Sequence, residues 1–207
     1  PNTNSILQSI GNTPLVPLSR VSEGHSHPIY GKCEHLNPGG SVKDRIALAI
    51  VDEAEHQGLL RPGGTLVEAT AGNTGMGLAL VAAIRGYRLV CVMPEKMSAD
   101  KRQALVALGA ELVITDNAPP GDPRNFQQVA KRIAEERPNH FWTDQFANRA
   151  NPDVHERTTA QELWDQTDGK IAAFVTGVGT GGTITGVGRF LKKKNPAIKV
   201  VLADPVG

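Results

Sequence analysis

The chain has 207 residues, 40% of them hydrophobic and 21% charged, with a formal net charge of +1. That balance suits a globular protein of one large domain or two small ones, and it offers neither nucleic acid nor a membrane surface a basic face. No apolar run reaches membrane-spanning length, no basic-then-apolar leader opens the sequence, and two cysteines (Cys33, Cys91) build no disulfide framework, so a cytoplasmic protein with buried free thiols is expected.

The first strong pattern is Ile46, Ala47, Leu48, Ile50, Val51 and Ala54, which predicts a helix ending at Gly58. Ser41 is a suitable N-cap, and Asp44 suits the first turn. Lys43 then also lies in the first turn, where free backbone N–H groups and the helix dipole disfavour a cation. The same field lowers the amine's pKa, as a nucleophilic or Schiff-base lysine requires. A solvated lysine on an exposed turn is the competing reading.

From Thr65 the chain alternates strand and helix. Strands are predicted at 65–70, 87–93, 111–115, 141–146, 171–176 and 199–203, and helices at 74–85, 98–108, 124–136, 158–166 and 183–194. Alternation with continuous apolar strands predicts an α/β fold, a parallel sheet covered by helices. Such sheets bind ligands beyond the carboxyl ends of their strands. Two loops fall there. Thr70-Ala71-Gly72-Asn73-Thr74-Gly75 joins a strand to a helix start that favours a carboxylate, although taken alone a tight turn capped by Asn73 is the better explanation. Gly177-Val178-Gly179-Thr180-Gly181-Gly182-Thr183 has four glycines and two hydroxyls at a helix start, the makings of a phosphate cradle. Gly177, Gly179 and Gly182 also fit a dinucleotide fingerprint, with Asp204 placed as a ribose acid, so a nicotinamide or flavin oxidoreductase is a rival.

Other signals are weaker. His25 and His27 lack a third ligand nearby, so no metal site is expected. Lys192-Lys193-Lys194 reads as a solvated helix end. Asp144 and Gln145 close a strand and are placed to face a site. Trp142 and Trp164 read as packing residues.

Together these segments resemble the cysteine synthase and cystathionine β-synthase family of pyridoxal-phosphate enzymes (fold type II). The resemblance runs from Ile10-Gly11-Asn12-Thr13-Pro14-Leu15 to Asp204-Pro205. It is carried by Asn37-Pro38-Gly39-Gly40-Ser41-Val42-Lys43-Asp44-Arg45, by Thr70 to Gly75, and by Gly179 to Thr183. It implies that Lys43 holds pyridoxal 5'-phosphate covalently and moves the Cα proton. It implies that Asn73 hydrogen-bonds the ring oxygen and that Gly179, Thr180, Gly181, Gly182 and Thr183 bind the phosphate. Thr70, Ala71, Gly72, Asn73 and Thr74, with Gln145, would take the substrate carboxylate.

The implied reaction replaces the β-substituent of O-acetylserine or serine with a sulfur nucleophile. Sulfide would give L-cysteine, and homocysteine would give cystathionine. Pro94-Glu95-Lys96-Met97-Ser98 and Asp204-Pro205 look more like the second branch, while the general frequency of the activities favours the first. The resemblance also implies a homodimer, a small mobile domain over residues 48–148, and a large domain over 1–47 and 149–207. The family usually has Ser where this chain has Ala71. It also continues past position 207, with a Gly/Ser-rich segment facing the pyridine nitrogen, so the sequence reads as a fragment with an incomplete large domain.

Overall fold

The computed structural model describes residues 5–204. In chain order its strands are β1 (Leu15–Pro17), β2 (Tyr30–Lys32), β3 (Thr65–Ala69), β4 (Arg88–Pro94), β5 (Glu111–Thr115), β6 (His140–Trp142), β7 (Ala173–Thr176) and β8 (Lys199–Leu202). The helices are α1 (Ser19–Ser22), α2 (Lys43–His56), α3 (Asn73–Arg85), α4 (Ala99–Ala107), α5 (Phe126–Glu136), α6 (Ala150–Val154), α7 (Ala160–Gln166) and α8 (Gly182–Lys194). A π-helical turn, His155–Thr159, joins α6 to α7 without a break. Among the described residues no helix is long and apolar enough to cross a membrane.

The principal sheet is parallel, in the order β5-β4-β3-β6, with Val67 opposite both Val90 and Trp142. Its strands are apolar on both faces because both are covered. Leu66, Leu89, Cys91 and Met93 pack with Leu78, Val81 and Leu105 of α3 and α4. Val67, Ala69, Val90 and Val92 pack with Phe126, Val129 and Ala130 of α5. Burial also pushes the Cys91 thiol up to about 12, so it is an inert core group. Cys33 is only half-buried, just beyond β2, and so departs from the buried thiol expected.

Helix α2 has two apolar faces. Ala47, Val51 and Ala54 join the α3 side of the sheet, whereas Ile46, Ala49 and Ile50 pack on Ala150 and Val154 of α6. The helix runs unbroken through the position, between residues 47 and 48, where the domain boundary was expected. A second parallel pair, β7 with β8, is bridged by α8, and β1 pairs with β2 antiparallel.

Two predicted elements differ most. The helix expected from 158 begins at Ala150, because Pro152 falls in its first turn, where a missing N–H costs nothing. The strand expected over 141–146 stops at Trp142; Asp144 adopts a left-handed backbone, φ 44°, and turns the chain. The lysines ending α8 are exposed, as expected of a solvated helix end; Lys193 also pairs with Glu156 at 2.6 Å, and Lys194 lies 5.6 Å from the Trp164 ring centre.

Helix α8 crosses α6 at very short range. A Cβ on Gly186 would lie 2.1 Å from the Pro152 carbonyl oxygen and 2.8 Å from the Glu156 nitrogen. Backbone cannot yield as a side chain does, so Gly186→Ala is expected to destabilise the fold by about 1–3 kcal/mol. Equilibrium unfolding in denaturant checks this; an unchanged midpoint would refute the close crossing.

Candidate active site

Lys43 is the first residue of α2. Ser41 is not the N-cap: Val42 occupies that position, and Ser41 Oγ accepts the Lys43 N–H at 3.1 Å. Asp44 does not reach back to Ser41. It is fully buried and accepts the Gly39 N–H at 2.6 Å, which ties the Asn37–Gly40 turn to the helix start. Burial raises the Asp44 carboxyl. Burial also pulls the Lys43 amine below its ordinary value, and among the described residues that amine has no ion-pair or hydrogen-bond partner. The geometry thus presents a half-buried, pKa-lowered lysine, as a Schiff-base lysine needs.

The Thr70–Gly75 loop lies beside it. A Cβ on Gly77 of α3 would meet the Lys43 carbonyl oxygen at 3.1 Å, so the first turns of α2 and α3 touch. Gly72, not Asn73, is the N-cap of α3, which leaves Asn73 exposed on the first turn with its side chain unspent on capping. Thr70 Oγ1 accepts the Gly72 N–H at 3.1 Å. Ala71 is half-buried and packs on the α3 core. Thr74 donates its hydroxyl to Gln145 Oε1 at 2.6 Å, which brings the predicted Gln145 to the loop. Gln145 is oriented by Glu68: its N–H reaches one Glu68 oxygen at 3.1 Å and its Nε2 the other at 3.5 Å. Thr143 donates to the same carboxyl. Burial raises Glu68 while those hydrogen bonds hold it down.

The glycine loop follows β7 and opens α8, with Gly181 at φ 82° as the N-cap. Side chains on Gly179 or Gly181 would meet no atom within 4 Å, so the space in front of the helix start is open. Thr180 Oγ1 accepts from Gly182 N–H at 3.4 Å and from Asn151 Nδ2 at 2.8 Å. Thr183 Oγ1 lies 3.3 Å from His155 Nε2, and His155 Nδ1 lies 2.9 Å from Thr159 Oγ1. Burial, with the Arg45 and Lys43 charges nearby, lowers His155 to about 4, so the ring is neutral at pH 7. The Lys43 charge acting on a ring that touches Thr183 puts the lysine and the glycine loop within electrostatic reach. Helix-start amides, two hydroxyls and open space together fit a phosphate; the adjacent unpartnered amine fits an aldehyde. That is the donor set pyridoxal phosphate requires.

The sequence reading missed Asn151, His155 and Glu68. Glu68 lay in an apolar strand, and the first two sat near Pro152 in a stretch to which no element was assigned. The β7-α8-β8 unit has the form a dinucleotide site would need, so geometry alone leaves that rival standing.

Comparison with known proteins decides it. The model of a family described as pyridoxal-phosphate dependent enzymes matches residues 6–207. The chain belongs to this family. Cystathionine beta-synthase of Apis mellifera is 50% identical over 98% of this chain and 41% of its own length. Cysteine synthase of Staphylococcus aureus is 50% identical over 98% of this chain and 64% of its own. The solved structure of O-ureido-L-serine synthase superposes with a TM-score of 0.91 at 46% identity, covering 99% of this chain and 64% of that one. The chain therefore spans about two-fifths to two-thirds of the length of these family members.

Proposed function

We propose that the protein carrying this chain catalyses β-replacement on O-acetylserine, or on serine, by a sulfur nucleophile, with sulfide giving L-cysteine. The observation that supports this best is the linkage of three helix starts: Lys43 on α2 lies against the start of α3, and Gly179–Thr183 on α8 is joined to the Thr70–Thr74 loop through Asn151 and Gln145. Lys43 would hold pyridoxal phosphate, Asn73 would face its ring oxygen, and Gly179, Thr180, Gly181, Gly182 and Thr183 would take its phosphate. When bound, that cofactor supplies an electron sink for charge developed at the substrate Cα.

The chain's own residues do the rest. Thr70, Ala71, Gly72, Asn73, Thr74 and Gln145 would seat the substrate carboxylate on the α3 start and so fix the Cα–H bond relative to Lys43. Lys43 Nζ, whose hold on its own proton burial weakens, takes the Cα proton in its unprotonated form. The carbon–oxygen bond at Cβ breaks and acetate leaves; sulfide then forms the carbon–sulfur bond, and Lys43 returns the proton.

Homocysteine with serine, giving cystathionine and water, is the second reading. It is supported by the Pro94–Ser98 and Asp204-Pro205 segments; identity to the Apis mellifera and Staphylococcus aureus enzymes is equal and favours neither reading. We further propose that residues 48–148 move as a small domain against 1–47 and 149–207, and that the protein is a cytoplasmic homodimer. Exposed Leu18, Val21, Tyr30 and Leu36 around the β1-β2 pair support an isologous contact.

The test is to add pyridoxal phosphate to the purified protein and follow visible absorption, then product. Expected are a stable yellow species and cysteine from O-acetylserine plus sulfide faster than cystathionine from serine plus homocysteine. The reverse order of rates would install the second reading. A protein that stays colourless and makes neither product would overturn both.

A further inference from the structure

We propose that Asn151 is a positioning residue that ties the phosphate-holding loop at Thr180 to the carboxylate-holding loop at Gln145, and turns the Thr180 hydroxyl proton toward the cofactor phosphate. Asn151 is the second residue of α6 and is 2% exposed. Its Nδ2 group donates to the Gln145 carbonyl oxygen at 2.8 Å and to Thr180 Oγ1 at 2.8 Å. An amide nitrogen has two N–H bonds, and both are used. The orientation is fixed, because a carbonyl oxygen only accepts and would repel Oδ1 in the flipped amide.

The consequence falls on Thr180. A hydroxyl has two acceptor lone pairs and one proton. Here the oxygen already accepts from Asn151 and from the Gly182 N–H at 3.4 Å, so the proton is the group left to point out of the protein. A phosphate in front of the α8 start is an acceptor of the right charge.

The arrangement carries a cost that core packing alone would not. Asn151 Oδ1 is buried with no hydrogen-bond partner. It lies where a Cβ on Gly182 would approach to 1.9 Å, so the glycine is what lets the amide sit against the loop. An apolar side chain of similar volume would avoid the orphaned acceptor. What asparagine alone delivers is the pair of N–H bonds to two separate loops.

The inference rests on the pyridoxal-phosphate reading, and the experiment separates the two. The full chain is titrated with pyridoxal phosphate and, in parallel, with pyridoxal, which lacks the phosphate. Asn151→Ala is expected to weaken pyridoxal phosphate about tenfold, the range of one hydrogen bond to a charged group. Pyridoxal binding is expected to change by less than about twofold on the same grounds, since the lost bond faces only the phosphate. Thr180→Val should show the same selective loss, and the double variant Asn151→Ala/Thr180→Val should bind no more weakly than Thr180→Val alone. Equal losses for both probes, additive losses, or an unchanged Asn151→Ala would overturn the proposal. If Asn151→Ala does not fold, by circular dichroism, the near-isosteric Asn151→Asp serves: it cannot donate to Thr180, and binding of pyridoxal phosphate at wild-type strength would equally overturn it. A wild-type protein that binds neither probe defeats the cofactor reading instead.

Discussion

Lys43→Ala is expected to abolish β-replacement, with a loss of at least about 10⁴-fold in kcat, because one amine both holds the cofactor and moves the Cα proton. Lys43→Arg should be equally inactive, since a guanidinium neither adds to an aldehyde nor deprotonates near neutrality. Variants that remove the charge, Lys43→Ala among them, are expected to stabilise the apo protein, whereas Lys43→Arg keeps the charge and is not. Burial lowers the Lys43 amine while no acceptor among the described residues compensates, so the folded chain binds its proton less firmly than the unfolded one. Stability then rises with pH between the lowered value and the ordinary value of 10.5. At pH 7 the group is a liability, and Lys43→Met should gain roughly 0.5–1 kcal/mol in denaturant unfolding, the usual scale for relieving a functional misfit. Activity lost together with stability would mean that Lys43 is a structural cation. Near-normal turnover would remove it from the chemistry.

The parallel sheet was legible because both of its faces are covered. Strands such as Arg88–Pro94 are apolar without alternation, a pattern an amphipathic surface does not imitate. Glu111–Thr115 has the predicted bounds, with Gly109 and the 117–123 loop as stops on either side. The Ala150–Gln166 helix was half lost because Pro152 reads as a breaker when its place in the first turn is unknown. Strands β1 and β2 are three residues each, too short for any period to show.

The candidate site divides along the same line. Lys43, the Thr70–Thr74 loop and Gly179–Thr183 were legible because helix starts leave a local signature of glycines, hydroxyls and one misplaced cation. The groups that orient them were not. Glu68 holds Gln145 from 77 positions away, and Asn151 reaches Thr180 across 29. No local rule encodes a partner at that separation. Asn73 shows the opposite limit: its sequence supports a cap, and only the backbone assigns capping to Gly72 and frees the amide.

Arg45 carries the largest expected effect on stability. Its guanidinium, 2% exposed, grips Glu34 at 2.8 and 2.7 Å through Nε and Nη2, and Glu162 at 2.6 and 2.8 Å through Nη1 and Nη2. Lys32 adds a contact to Glu162 at 2.6 Å, and Thr13 donates to Glu34 at 2.6 Å. One side chain therefore ties the N-terminal segment and α7 to α2, two residues from Lys43. Arg45→Met leaves two carboxylates facing each other with only Lys32 to answer them. Breaking a buried pair from one side costs about 3–5 kcal/mol, and Arg45→Lys should not rescue it, since an ammonium cannot hold both carboxylates bidentately. For a chain of this size that is a drop of about 10 °C in Tm. The pH dependence identifies the cause. Burial would raise Glu162, but its bonds from Arg45 and Lys32 bring it down to about 2, and Glu34 is lowered by the same balance. A carboxyl depressed by folding stabilises above its unfolded value of 4.5, and that stability is lost as pH falls toward 2. In Arg45→Met the carboxyls lose this depression and gain protons more easily. The gap between variant and wild type should therefore be widest near pH 7 and shrink steadily below pH 4.5. A gap constant from pH 7 to pH 3 would show that Arg45 acts through packing of its stem rather than through charge.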